Sequence, residues 1–150
     1  MSKNKIILKN AFLIFAGIVG FFFMMKFSGL ENISELRLLN FVFVLWGINK
    51  AIKTNIIANK ERLYFENLII GAGTSILAVG MTILGLIIYV SFIDSAFMTI
   101  LENSSFWGKD LSLPLVVFAL AIEGIASSVT CSFILMQYYK NYKSSSTALI

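Results

Sequence analysis

Charge is confined to the edges of four long apolar stretches, with one exception near the middle of the last. A bilayer core of about 30 Å takes roughly 20 apolar residues in a helix. The first stretch, 6–27, has an uncharged centre from Ala11 to Met25 between Lys9 and Lys26, whose long side chains can reach the headgroups. The second, 36–52, is the weakest, because Arg37, Asn40, Asn49 and Lys50 crowd its ends. The third, 68–93, carries no charge. The fourth, 111–139, has Pro114 in its first turn, where a missing N–H costs nothing. The pattern predicts an all-α integral membrane protein with four transmembrane helices. They form one domain over residues 1–143, followed by a mobile tail at 144–150. The sequence after the first stretch, Met25-Lys26-Phe27-Ser28-Gly29, offers no signal-peptidase-like small-residue site, so an uncleaved span is expected.

The connections carry their own patterns. The first, about 28–35, is short and makes the first two spans antiparallel neighbours. The second, 53–66, is expected to begin as an extension of the second helix, and its basic residues to lie in solvent or touch anionic lipid. In the third, Ile93, Phe97, Ile100 and Leu101 recur at helical spacing, and Asp94 stands where it can cap a helix start. This predicts a short interfacial helix in the second outer loop, with Phe97 and Leu101 directed into the membrane or onto the third and fourth spans. Trp107 is expected in the outer aromatic belt, and Tyr138 and Tyr139 in the inner one. Asn32-Ile33-Ser34 and Asn103-Ser104-Ser105 match the glycosylation sequon, which matters only in a eukaryote.

Composition narrows the class. Hydrophobic residues make up 58% and charged residues 13% of the 150, too little charge to cover a water-soluble globule and too much apolarity for disorder. The chain has no His and one Cys, Cys131, so haem ligation, Cys/His zinc sites, iron–sulfur clusters and the commonest general base are excluded. No cofactor, metal site or catalytic group is expected, and the reading is non-enzymatic. The net charge of +4 comes from residues near the membrane faces and points to no nucleic-acid partner. Of the twelve basic residues, Lys3, Lys5, Lys9, Lys50, Lys53, Lys60, Arg62, Lys140 and Lys143 fall on one side. Lys26, Arg37 and Lys109 fall on the other, among the acidic residues. The positive-inside rule then puts both termini in the cytoplasm.

Three short blocks carry a resemblance. Gly47-Ile48-Asn49-Lys50-Ala51-Ile52-Lys53 closes the second span, and Tyr64-Phe65-Glu66-Asn67-Leu68-Ile69-Ile70-Gly71 opens the third. Phe92-Ile93-Asp94-Ser95-Ala96-Phe97 ends it. Together they resemble an uncharacterised family of small four-helix membrane proteins of Bacteroidota, a domain of unknown function. In that family the last block usually reads Asp-Pro-x-Phe, and Ser95 stands here where the Pro would be. The resemblance implies a bacterial inner-membrane protein and supplies no activity.

Glu123 is the acidic residue inside a span. A charge near mid-bilayer costs about 2.5–3.5 kcal/mol on insertion scales, so this carboxyl should face protein or water. Ser127, Thr130 and Cys131 follow at helical spacing, and Trp46 and Thr82 are partners possible by depth. Two readings stay open. One is a neutral, hydrogen-bonded carboxyl that fixes helix or subunit packing. The other is a proton- or cation-coupled site in a small transporter or channel. Small residues at four-residue spacing form stripes that let helices approach closely: Ala16 and Gly20; Thr74, Ala78 and Thr82; Gly124, Ser128 and Ser132. They are expected to pack within the chain, or against another copy or subunit. Gly71-Ala72-Gly73 lacks the Lys and Ser/Thr of a phosphate loop and has no preceding strand. The favoured role is a structural or accessory subunit of a homo-oligomer or larger membrane complex.

Overall fold

The computed structural model describes residues 2–30, 34–60, 63–103 and 112–147. All regular structure among them is helical. Helix α1 spans Lys3–Phe27, α2 Asn40–Asn59, α3 Tyr64–Phe92, α4 Phe97–Asn103 and α5 Leu113–Thr147, with a 3₁₀ helix, Ser34–Leu39, leading into α2. α1, α2, α3 and the part of α5 up to Lys140 are long and apolar enough to cross a membrane, so the chain is a multi-pass membrane protein. The second helix starts at Asn40 and continues to Asn59, taking in the first part of the expected connection. Residues 144–147, expected in the tail, continue α5.

Local chemistry sets the ends of these helices. α1 stops at Gly29, whose φ of +70° suits a residue without Cβ. The Leu30 N–H then reaches back to the Met25 carbonyl at 3.0 Å, closing a Schellman-type cap. α2 stops at Lys60, also left-handed at φ 52°. Leu63 enters α3 in extended conformation, and its carbonyl accepts from both the backbone N–H and the side-chain amide of Asn67.

α3 is the central helix, packing against α1, α2 and α5, while α2 also touches α1 and α5. Close crossings occur where a glycine faces a branched or aromatic side chain. A Cβ on Gly47 of α2 would collide with Ile14 of α1, one on Gly17 would lie 2.7 Å from Phe43, and one on Gly124 would lie 2.6 Å from Val79. Gly71, which opens the Gly-Ala-Gly segment, is such a crossing point, against Ile48 and Ile52. Along the bundle, Ile6, Ala51 and Ile70 form one apolar cluster, Ala11, Ile14 and Ala78 another, and Ile48, Ile52, Cys131 and Met136 a third.

At the end of the bundle where α3 begins, amides tie three turns together. Asn55 donates to Asn67 at 2.9 Å and accepts from Asn59 at 2.8 Å, and both Asn55 and Asn67 are buried. Tyr139 of α5 donates to Asn49 of α2, and Lys3 pairs with Glu66. At the opposite end, Lys26 donates to Asp94 at 2.7 Å and to the Tyr89 hydroxyl, with its ammonium over the Tyr89 ring. α4 seats itself beside this group. Phe97 and Leu101 are buried against Tyr89, Val90 and Val116, and the rings of Phe22, Tyr89 and Phe97 meet edge to face at 5.1–5.5 Å. Phe97 and Leu101 thus lie on α3 and α5, one of the two placements expected for them.

Candidate functional site

Ten residues, about 15 Å, separate Glu123 from the start of α5. Its neighbour Gly124 packs against Val79, beside Ala78, the midpoint of α3. Both measures put Glu123 at the middle of the bundle's length. The interior there is occupied by other residues. Ser128 and Ser132 of α5 and Thr74, Ser75 and Ala78 of α3 are all buried. Gly124 turns toward the same interior through Val79. Glu123 lies some 100° or more around the helix from this face, given about 100° per residue, and it is exposed.

The outward face continues from Glu123 through Ala126 and Thr130, both exposed, with Ser127 half-buried at its margin. Thr130 donates its hydroxyl to the Ala126 carbonyl at 2.9 Å, a bond that hides its proton from the surrounding medium. Glu123 makes no hydrogen bond or ion pair with any described residue. The stripe is therefore small, weakly polar and carries one carboxyl, on a helix surface otherwise rich in exposed Phe118, Ile122, Ile125 and Ile134.

Several expected groupings are corrected by this arrangement. Glu123 does not face the bundle. Trp46 is not its partner: it stands half exposed on α2 beneath the Lys50 ammonium. Thr82 donates to the Ala78 carbonyl within its own helix. Cys131 departs from the Glu123 face and sits buried with Ile48, Ile52 and Met136, because eight residues advance an α-helix by about 80° beyond two full turns. The small stripes divide likewise. Those of α3 and α5 are crossings inside the chain, whereas Ala16 and Gly20 are exposed, and nothing approaches within 4 Å of a Cβ built on Gly20. Tyr139 bonds to Asn49, and Tyr138 is exposed. Trp107 lies outside the described residues.

The sequence reading missed the Asn55–Asn67 pair: Asn55 falls in the expected connection and Asn67 at the opening of the third span, with no pattern linking the two. It also missed the Lys26–Tyr89–Asp94 cluster, in which Lys26 lies more than sixty positions from the other two. Asp94 lies beyond the end of α3, and its carboxyl is held below the usual carboxylate range, chiefly by the hydrogen bond from Lys26. Among the described residues no group of three or more Cys, Asp or Glu could hold a metal ion. Comparisons with family models, curated proteins and solved structures found no match to this chain.

Proposed function

We propose that this protein is a non-enzymatic membrane subunit that assembles with other membrane-embedded chains, in a homo-oligomer or a larger complex, through the outward face of α5. The carrying observation is the position of Glu123: mid-length, outward and unpartnered. A carboxyl facing hydrocarbon costs several kcal/mol in the ionised form and still loses its hydrogen bonds when neutral. A neighbouring helix removes that cost by offering a donor or acceptor, and Ala126, Ser127 and Thr130 are small enough to let its backbone approach. The site is a bacterial inner membrane with both termini cytoplasmic, a placement that rests on the charge asymmetry and the resemblance described above. α4 then lies at the outer face as an interfacial helix. A proton- or cation-coupled path through Glu123 would run between copies, since the side chain does not line the interior of one bundle.

The test uses two substitutions with opposite expectations. On a face turned to lipid, Glu123→Leu stabilises the protein and leaves its size unchanged. On a face turned to another chain, Glu123→Leu disperses the assembly in mild detergent, while Glu123→Gln, which keeps shape and hydrogen bonding, preserves it. Unchanged size and raised stability for the Leu variant would overturn the subunit reading. Loss of a measurable proton flux in liposomes for an assembled Gln variant would favour transport instead.

A further inference from the structure

Lys50, Lys53, Thr54, Ile57 and Ala58 line a shallow depression of about 270 Å³ on α2. Spacings of three and four put them on one helix face. One turn nearer the middle of the bundle, Trp46 stands half exposed on the same face, and the Lys50 ammonium lies 4.8 Å from its ring centroid. The quadrupole of an indole attracts a cation, so this ammonium is drawn down against the helix. The Thr54 hydroxyl gives its proton to the Lys50 carbonyl at 2.7 Å, which leaves the two ammonium groups as the donors of the depression.

The depth of this face follows from packing. Gly71 of α3 meets Ile48 and Ile52 of α2, so Lys50 stands level with Gly71. Gly71 is seven residues from Ala78, about 10 Å along the axis. The hydrocarbon half-thickness is about 15 Å, so the backbone of Lys50 lies just inside the apolar edge. Lys53, one turn farther out, can reach the level of the phosphates, and the Lys50 ammonium, which lies back over Trp46, meets them when its side chain extends outward. Elsewhere at the bundle ends, Lys3 and Lys26 are paired with Glu66 and Asp94. Lys50 and Lys53 have no carboxylate partner among the described residues. A cation at this depth is costly unless an anion joins it, and the anion native to this depth is a lipid phosphate.

We infer that this face of α2 is a binding site for an anionic phospholipid. Lys50 and Lys53 hold the phosphodiester, and an acyl chain lies along Trp46 and Val42. The apolar flank decides for a lipid over a soluble phosphate: Val42 and Trp46, exposed on the side toward the membrane centre, would be left uncovered by a free ion.

The test reads Trp46 fluorescence in a Trp107→Phe background, which leaves one indole in the chain. The protein is reconstituted in phosphatidylcholine vesicles containing a minor fraction of phosphatidylglycerol. The bromine quencher is carried on the acyl chains of one lipid or the other. An attraction of the size usual for interfacial lysines enriches the anionic lipid roughly fivefold per lysine. Brominated phosphatidylglycerol should therefore quench Trp46 several-fold more than its mole fraction predicts. Lys50→Gln/Lys53→Gln should abolish the excess, and Lys50→Arg/Lys53→Arg should keep it. Lys9→Gln/Lys60→Gln, which removes the same charge from other positions, should leave it intact. Quenching in proportion to mole fraction in the parent protein overturns the proposal. So does an equal loss in the Lys9/Lys60 variant, which would mean diffuse attraction. Loss of the excess on adding soluble glycerol 3-phosphate, but not sodium chloride of equal ionic strength, would assign the site to a free phosphate and also overturn it.

Discussion

A methyl group added at Gly47 would run into Ile14, whereas one added at Gly80 would meet nothing within 4 Å. The two glycines are equivalent in composition and opposite in consequence. Gly47→Ala should lower stability by about 1–3 kcal/mol through overpacking of α1 on α2. Gly80→Ala should be neutral or slightly stabilising, since Ala is the better helix former. Thermal denaturation of both variants in one detergent checks the pair. A second residue-level expectation concerns Asp94, whose folded carboxyl titrates below its unfolded value because Lys26 donates to it. A depressed carboxyl contributes stability that is complete above the unfolded pKa of about 3.9 and fades as pH falls through the folded value. The melting temperature of the parent protein should thus drop on the acid side, below about pH 4. Asp94→Asn should start lower at neutral pH and show a shallower acid decline, in thermal scans from pH 7 to pH 3.

Among elements, α4 has the least independent means of support. Its seven residues are too few for a stable helix in isolation, so it owes its order to the side chains it buries. Phe97 is the main one, packed edge to face on Phe22 and Tyr89. Phe97→Ala should cost about 3–5 kcal/mol locally. It should show first as faster protease cleavage of the segment around 93–103, before any loss of overall helical signal. That α4 existed was legible in the sequence, because Phe97, Ile100 and Leu101 recur at the period of a helix. The long helices were legible for the same kind of reason: an apolar run of bilayer length admits no other regular structure. Their ends were less so. The second span was expected to run on past Ile52, but not how far: α2 continues to Asn59, and Asn67 of α3 meets the Asn55 amide on the way. The orientation of Glu123 was not legible either. Depth follows from counting along one helix, but which way a side chain turns is fixed by the neighbours, and Gly124 against Val79 sets that here.

At the scale of the whole molecule, the proposed orientation has a direct check. In a Cys131→Ser background, Cys placed at position 34 or 104 should react with a membrane-impermeant maleimide added outside intact cells. Labelling of both only after the cytoplasmic side is opened would reverse the topology. The bundle's least apolar span also bears on how the protein is made. α2 carries Lys50 and Lys53 in its second half and a buried amide at Asn55. Its fit depends on α1 through Gly47 and Ile14, and on α3 through Asn67. When α2 leaves the ribosome, α3 has not yet been synthesised, and the packing of Ile48 and Ile52 on Gly71 is not yet available. We therefore expect α2, the least apolar of the four spans, to insert more efficiently when α3 is present than alone. In a protease-protection assay, a chain arrested before Tyr64 should show less inserted α2 than the full chain; equal insertion would mean that each span commits by itself.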